Sequence, residues 1–248
     1  MKLQINKDQF KNEMLMPISK IVGDDESNKG CIIDLNEESI ECTCNAKDGS
    51  IVLHATFNTD KTSDRKGSLN IYDLKKFIRL LDCINKDVID FTINSNNITY
   101  TSPELKFKYH LMDDGVVRRS VVNTKKINAL KFNNEFVIPK EKIDEIIKLS
   151  TFTEESNKLY IKCHKGGVYG ELTDKTKPNI DNVDLKIVDS FTGDVFTDIP
   201  ISLDVIRKFT GIKYDNLFTK VNTDTKVIMF NLTSNNSNLK YVATALVK

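Results

Sequence analysis

Four stretches of the chain repeat apolar residues three or four positions apart, the spacing of one face of an α-helix. In 7–20 the face is Phe10, Met14 and Ile18, and in 72–83 it is Leu74, Phe77, Ile78 and Leu81. In 140–149 it is Ile143, Ile146 and Ile147, and in 202–210 it is Val205, Ile206 and Phe209. Each stretch is apolar on one side only, so each predicts a surface helix with one buried face. Asn6 and Ser202 are capping residues, and Pro139 suits the first turn of the third helix. Pro17 predicts that the first helix bends or ends early. Elsewhere the period changes to two. Alternating runs occupy 39–44, 50–57, 88–93, 105–111, 159–163, 226–232 and 239–247, separated by Asp48-Gly49, Asn96-Asn97, Gly166-Gly167 and Asn235-Asn236. Strands joined by tight turns predict antiparallel meanders in an α+β fold, not a parallel nucleotide-binding sheet.

The order of these pieces repeats. Lys2-Leu3-Gln4-Ile5-Asn6-Lys7-Asp8-Gln9-Phe10 lies against Glu135-Phe136-Val137-Ile138-Pro139-Lys140-Glu141-Lys142-Ile143 at a shift of 133. Leu74-Lys75-Lys76-Phe77 lies against Ile206-Arg207-Lys208-Phe209 at a shift of 132. Two distant anchors with nearly one shift predict an internal duplication. The expected division is a first domain at 1–112, a connector at 113–129 and a second domain at 130–248. The connector holds Gly115, two Val-Val pairs, Arg118-Arg119 and Lys125-Lys126.

Charge adds to this picture only when divided. The 248 residues carry 36 Lys+Arg against 35 Asp+Glu, a net charge of +1, which removes the simple argument for a nucleic-acid binder. Within 7–20, 72–83, 140–149 and 202–213, however, 12 basic residues face 8 acidic ones, so the helices hold +4 and the remainder −3. Lys75, Lys76 and Arg79 lie off the apolar face of the second helix, and Arg207 and Lys208 off that of the fourth. On one helix such residues are simply solvated; their recurrence in both repeats gives the pattern weight.

Other classes are less well served. No window approaches 18 uninterrupted apolar residues, and the N-terminus lacks the apolar core of a secretion signal. Five cysteines, an odd number, fit a reducing cytoplasm better than a disulfide framework. Cys42 and Cys44 share one face of a strand, where they read as small buried hydrophobes, and no second cluster completes a zinc site. Cys163 and His164 are strand neighbours and point apart, which separates nucleophile from base. His54 and His110 stand alone on strands, Asp113-Asp114 precedes a connector, and Gly166-Gly167-Val168-Tyr169-Gly170 lacks the Lys-Ser/Thr ending of a phosphate loop. The reading is of a non-enzyme with no catalytic residues, metal or cofactor.

Two segments carry a resemblance. Asn70-Ile71-Tyr72-Asp73-Leu74-Lys75-Lys76-Phe77-Ile78-Arg79-Leu80-Leu81 resembles the Ile-Tyr-Asp-Leu…Phe helix start of T-even-type bacteriophage DNA polymerase sliding clamps, and Lys240-Tyr241-Val242-Ala243-Thr244-Ala245-Leu246 resembles their closing strand. The Lys/Asn-rich loops 58–66 and 173–182 depart from that family. The resemblance, which extends to the clamp superfamily of proliferating cell nuclear antigen, implies a duplicated clamp fold, each domain two helices on curved antiparallel sheets. It implies three chains closed head to tail into a ring, helices inside, around double-stranded DNA without regard to sequence. It further implies a replicative DNA polymerase and a clamp loader ATPase as partners, no membrane, and the cytoplasm of an infected bacterial host. Under it, Lys75, Lys76, Arg79, Arg207, Lys208 and Lys213 face DNA, followed by Lys7, Lys11, Lys20, Lys140, Lys142 and Lys148. The partner-peptide pocket falls to Val116, Val117, Val121 and Val122 of the connector with Ala245, Leu246 and Val247 of the tail. The rival readings are a two-domain β-rich structural or assembly protein of a virus particle, and a DNA-binding protein that does not encircle.

Overall fold

Gln9 donates its amide to Asn6 Oδ1 at 3.0 Å, and with that cap the chain leaves strand β1 (Lys2–Asn6) for its first helical stretch. The computed structural model describes residues 1–23, 29–60, 66–164 and 166–246. The stretch consists of α1 (Lys7–Phe10), a π-helical turn (Lys11–Leu15) and α2 (Met16–Val22). Pro17 explains the irregular middle: it has no N–H to give and its ring crowds the carbonyl of Glu13. The ladder widens instead of ending, and Met16 N–H reaches back five residues to Lys11 O. Of the two outcomes expected of Pro17, early termination does not occur.

The chain divides into two compact units, Met1–Lys126 with Asn235–Leu239, and Ile127–Ser234 with Lys240–Lys248. The connector residues up to Lys126 thus group with the first unit, as does a short piece of the last strand.

In the first unit the remaining elements are β2 (Cys31–Leu35), β3 (Ser39–Asn45), β4 (Ile51–Asn58), β5 (Gly67–Ile71), α3 (Leu74–Asp82), β6 (Val88–Asn94), β7 (Asn97–Thr101) and β8 (Lys106–His110). They form antiparallel sheets in the orders β1-β6-β7-β8 and β5-β2-β3-β4, and Asn58 N donates to Asn236 O at 2.8 Å beyond β4. Alternation sets the faces: β3 buries Ile40, Cys42 and Cys44 and turns Ser39, Glu41 and Thr43 the other way. Phe10 meets Phe57 of β4 at 5.5 Å between ring centres. Phe77 of α3 packs on Tyr109 of β8 at 5.1 Å and Phe91 of β6 at 6.2 Å. Asp73 caps α3 by accepting from Lys76 N at 2.8 Å, and the Tyr109 hydroxyl donates to Asp73 O at 3.0 Å. Burial pushes that hydroxyl up to about 12. At Gly30 a Cβ would lie 2.6 Å from Ile71 O and 2.8 Å from Tyr72 O, too close for any side chain.

A short helix, α4 (Thr124–Asn128), which the periodicity does not signal, leads into the second unit. There follow β9 (Asn134–Val137), α5 (Lys140–Leu149), β10 (Lys158–His164), β11 (Gly167–Leu172), β12 (Val183–Val188), β13 (Ile199–Ser202), α6 (Leu203–Arg207), β14 (Asn216–Asn222), β15 (Val227–Thr233) and β16 (Ser237–Thr244). The sheets run β12-β11-β10-β13 and β9-β14-β15-β16. Strand for strand this is the plan of the first unit, with β9 in the place of β1, β10 of β2 and β14 of β6. Phe209 packs on Phe230 at 5.3 Å and Tyr241 at 5.0 Å, as Phe77 does on its sheet. The result is a sheet-rich, duplicated α+β fold. The helix starts are not in step with that packing: Asp73 caps α3 and Ser202 caps α6, 129 residues apart, while the Phe77–Tyr109 contact recurs as Phe209–Tyr241 at a shift of 132. Pro139 holds the cap position of α5 itself, one residue earlier than expected.

Truncating Phe77 to Ala is expected to cost about 3–5 kcal/mol, read as a lower urea midpoint. Gly30→Ala, which must move two backbone carbonyls, is also expected to lower it, whereas Gly49→Ala meets no atom within 4 Å and suffers only from its φ of +72°.

Candidate nucleic-acid interface

Helix α3 buries Leu74, Phe77, Ile78 and Leu81, and its geometry therefore puts Lys75, Lys76 and Arg79 together on the opposite side, all three exposed. Neither Lys76 nor Arg79 meets a carboxylate among the described residues. Lys86, just past the helix, is exposed as well and extends the cationic surface. It lies outside the 72–83 stretch that helical spacing marks, in the segment that follows the helix.

The other expected cations are more occupied. Lys7 Nζ donates to Ile84 O at 2.8 Å and lies 3.7 Å from Asp8, and Lys11 pairs with Asp82 at 2.5 Å. Both tie the first helical stretch to the C-terminal end of α3; a pair this exposed is worth about 0–1 kcal/mol. Lys20 is half-buried in the last turn of α2. In the second unit Lys142 pairs with Glu145 at 2.8 Å, Lys140 Nζ sits 5.4 Å from the Tyr214 ring centre, and Lys148 is exposed. Burial, with the charges of Asp144 and Glu141, pushes the Tyr214 hydroxyl up to about 12. Arg207 donates to Asn157 Oδ1 at 2.6 Å and Asp204 Oδ1 at 3.0 Å. Burial raises the Asp204 carboxyl, but hydrogen bonds from Asn157 and Arg207 outweigh it and hold it low. Helix α6 ends at Arg207, leaving Lys208 half-buried at its C-cap and Lys213 exposed in the loop beyond. The structure gathers three exposed cations on α3, and in the second unit it pairs Lys142 and Arg207 with carboxylates.

The expected peptide pocket separates into parts. Val117 is buried, Val116 is exposed, Val121 is 82% exposed, and Val122 half-buried against β2. In the second unit Ala245 N donates to Lys226 O and Leu246 N to Pro200 O, both at 2.8 Å. Val247 lies outside the described residues.

The connector is fastened to the face of β2-β3-β4 that carries Asp34, Thr43 and His54. Arg119 grips Asp34 with two bonds, Nη1 to Oδ2 at 2.6 Å and Nη2 to Oδ1 at 3.0 Å, and Ser68 donates to Oδ1 at 2.6 Å. Five residues on, Thr124 lies 3.5 Å from Nδ1 of the buried His54, which also meets Thr43 at 3.0 Å. No local pattern predicts a partner for His54; its outward strand position beneath a crossing segment is the reason it is buried.

Cys31, Cys42 and Cys44 lie buried together in the first core, where bonding to Cys42, then burial, pushes the thiols of Cys31 and Cys44 up. Cys163 is buried and His164 exposed, stacked on Tyr169 at 4.2 Å. Among the described residues no cluster of three His, Cys, Asp or Glu can hold a metal, and no helix is long and apolar enough to cross a membrane.

No protein-family model and no curated protein matches the chain. Solved structures do. All of this chain superposes on 98% of a chain from the structure of the C-terminal region of FEN-1 bound to A. fulgidus PCNA, at TM-score 0.77 and 12% identity. It matches 66% of a DNA polymerase III beta subunit from Eubacterium rectale at 0.78 and 10% identity, and 64% of the Bacillus subtilis DNA polymerase sliding clamp at 0.75 and 18%. The chain therefore spans slightly under two thirds of these bacterial chains. The fold is that of the clamps.

The Asp34 tether has a defined response to acid. Burial raises its carboxyl, yet bonds from Arg119 and Ser68 hold it below its ordinary value. A depressed carboxylate stabilises above its unfolded pKa and stops doing so as pH falls through the folded one. Amide exchange in 116–124, corrected for intrinsic rates, is expected to stay low at neutral pH and rise once Asp34 protonates. Asp34→Asn is expected to show the raised exchange at neutral pH already; protection equal to that of the unmodified chain would remove the tether.

Proposed function

We propose that this chain is a DNA polymerase processivity factor, a sliding clamp that closes as a ring around double-stranded DNA and tethers the replicative polymerase. The observation that carries the reading is the duplicated two-helix, two-sheet unit, which follows clamp structures over the whole of the chain. Helix α3 supplies the chemistry such a ring needs. Lys75, Lys76, Arg79 and Lys86 attract phosphates without reading bases, and contacts of that kind permit sliding. Weak attraction elsewhere suits the same end, because a closed ring retains DNA by topology.

The ring is a homotrimer joined head to tail. Among the described residues β8 and β12 pair along one side only, and an open strand edge is a ready surface for joining another chain. The phage-type resemblance of 70–81 and 240–246 supports three chains, loading by an ATPase and a setting in the cytoplasm of an infected bacterium. The PCNA match, bound by the C-terminal region of FEN-1, supports partners that dock through a terminal segment.

Sedimentation is expected to give about 85 kDa, three times 28.2 kDa; a stable 28.2 kDa species at high concentration that leaves a polymerase unstimulated would favour an assembly role instead. Neutralising Lys75, Lys76 and Arg79 together is expected to slow loading and reduce polymerase stimulation on primed circular DNA, with the circular dichroism spectrum unchanged. Loading and stimulation equal to those of the parent chain throughout a salt titration would overturn the DNA-facing assignment of α3.

A further inference from the structure

The turn that follows α5 and the Lys/Asn-rich loop 173–182 enclose a cavity of about 200 Å³, wholly within the second unit. Phe152, Thr153, Glu154 and Glu155 line it from the turn, and Ile180 and Asp181 from the loop. Its walls are fastened to each other. Ser156 Oγ donates to Thr173 O at 2.6 Å, Thr173 Oγ1 to Asp181 O at 3.2 Å, and Lys177 Nζ to Glu155 O at 3.1 Å. The cavity is therefore in place before anything enters it. It is smaller than the roughly 300 Å³ at which small-molecule pockets begin, and it suits one long side chain.

Three features meet in its lining. Phe152 is 62% exposed, an aromatic face left in water. Glu154, Glu155 and Asp181 are exposed, and none pairs with a Lys or Arg among the described residues. Thr153 is only 2% exposed, and its Oγ1 has no hydrogen-bond partner. A buried hydroxyl in that state costs stability until a partner reaches it. Carboxylates alone would mark a solvated surface; the orphaned hydroxyl and the bare ring beside them mark a site. Its occupant is not a metal ion, because among the described residues no three carboxylates converge to hold one. A flat cation with several N–H donors satisfies all three features, stacking on the ring while it donates to the carboxylates and to the hydroxyl. We propose that this cavity binds the guanidinium of an arginine presented by a partner protein. It stacks on Phe152, donates to Thr153 Oγ1 and is balanced by Glu154, Glu155 and Asp181. Free arginine fits less well, because its own carboxylate would meet three others and no cation lines the cavity to hold it. The same carboxylates repel phosphates, so the site is not a second DNA contact.

The test uses the full chain and fluorescein-labelled pentapeptides with Gly-Ser before and Ser-Gly after a central arginine, lysine or citrulline, followed by anisotropy at low salt. The arginine peptide is expected to bind. The citrulline peptide, its neutral isostere, is expected to bind about tenfold more weakly, and the lysine peptide about threefold more weakly. Phe152→Leu, and Glu154→Gln together with Glu155→Gln, are each expected to weaken the arginine peptide about fivefold or more. Thr153→Val keeps the shape and deletes the orphaned hydroxyl. It is expected to weaken binding while leaving the urea midpoint unchanged or raised, so the lost affinity is not lost fold. Glu104→Gln, an exposed carboxylate of the first unit, controls for total charge and is expected to leave binding within about twofold. N-acetylarginine amide is expected to displace the peptide, and free arginine to do so about fivefold less well. Absence of binding, equal binding of the citrulline or lysine peptide, indifference to any of the three cavity variants, or equal displacement by free arginine would each overturn the site.

Discussion

Everything that this chain presents to solvent from α3 depends on one seating: Phe77, with Leu74, Ile78 and Leu81, pressed onto the sheet that carries Phe91 and Tyr109. A helix has only one rotation that buries all four. That rotation leaves Lys75, Lys76 and Arg79 no choice but to point away from the core. The Tyr109 hydroxyl fixes the axial position too, because it holds the carbonyl of the capping Asp73. Hydrophobic burial, which is blind to charge, therefore decides where the charge goes. No salt bridge is needed to aim the cations.

The same logic explains what the sequence reveals and what it hides. Period-3.6 and period-2 spacing are imprinted by burial, so the amphipathic helices, strands such as β3, β4 and β15, the α+β class and the duplication are visible in it, while the short α4 and strands such as β12 and β13 are not. The match of the two units strand for strand shows how far that reaches. Side-chain pairing leaves no periodic trace. Lys7 and Lys11 look as basic as Lys75, yet they are spent on Ile84 and Asp82, residues more than seventy positions away. Arg207 likewise holds Asp204 and Asn157. The shift of 132 that pairs Phe77 with Phe209 matches their packing on Tyr109 and Tyr241, whereas the helix starts at Asp73 and Ser202 are 129 apart, a difference that apolar spacing does not show. His54, Thr124 and the grip of Arg119 on Asp34 depend on where an irregular segment crosses a sheet, which no local pattern encodes.

The near balance of 36 basic and 35 acidic residues also reads differently. The two units share a topology without sharing its electrostatics. In the first, Lys75, Lys76 and Arg79 stand together on one exposed side of α3. In the second, Lys142 is paired with Glu145 and Arg207 with Asp204. A duplicated scaffold has kept its packing in both copies while its cations differ in their partners.

The grouping of Asn235–Leu239 with the first unit bears on how the molecule is made. Neither unit is one uninterrupted segment, so no single cut yields two complete halves. During synthesis the ribosome delivers β2, β3 and β4 early, but the segment that lies beyond β4 follows only after residues 127–234. Until then the backbone of β4 is an unfinished edge, the kind of surface on which nascent chains pair wrongly. The first unit begins folding first and is completed nearly last, which gives the end of the chain a hold over the stability of its beginning.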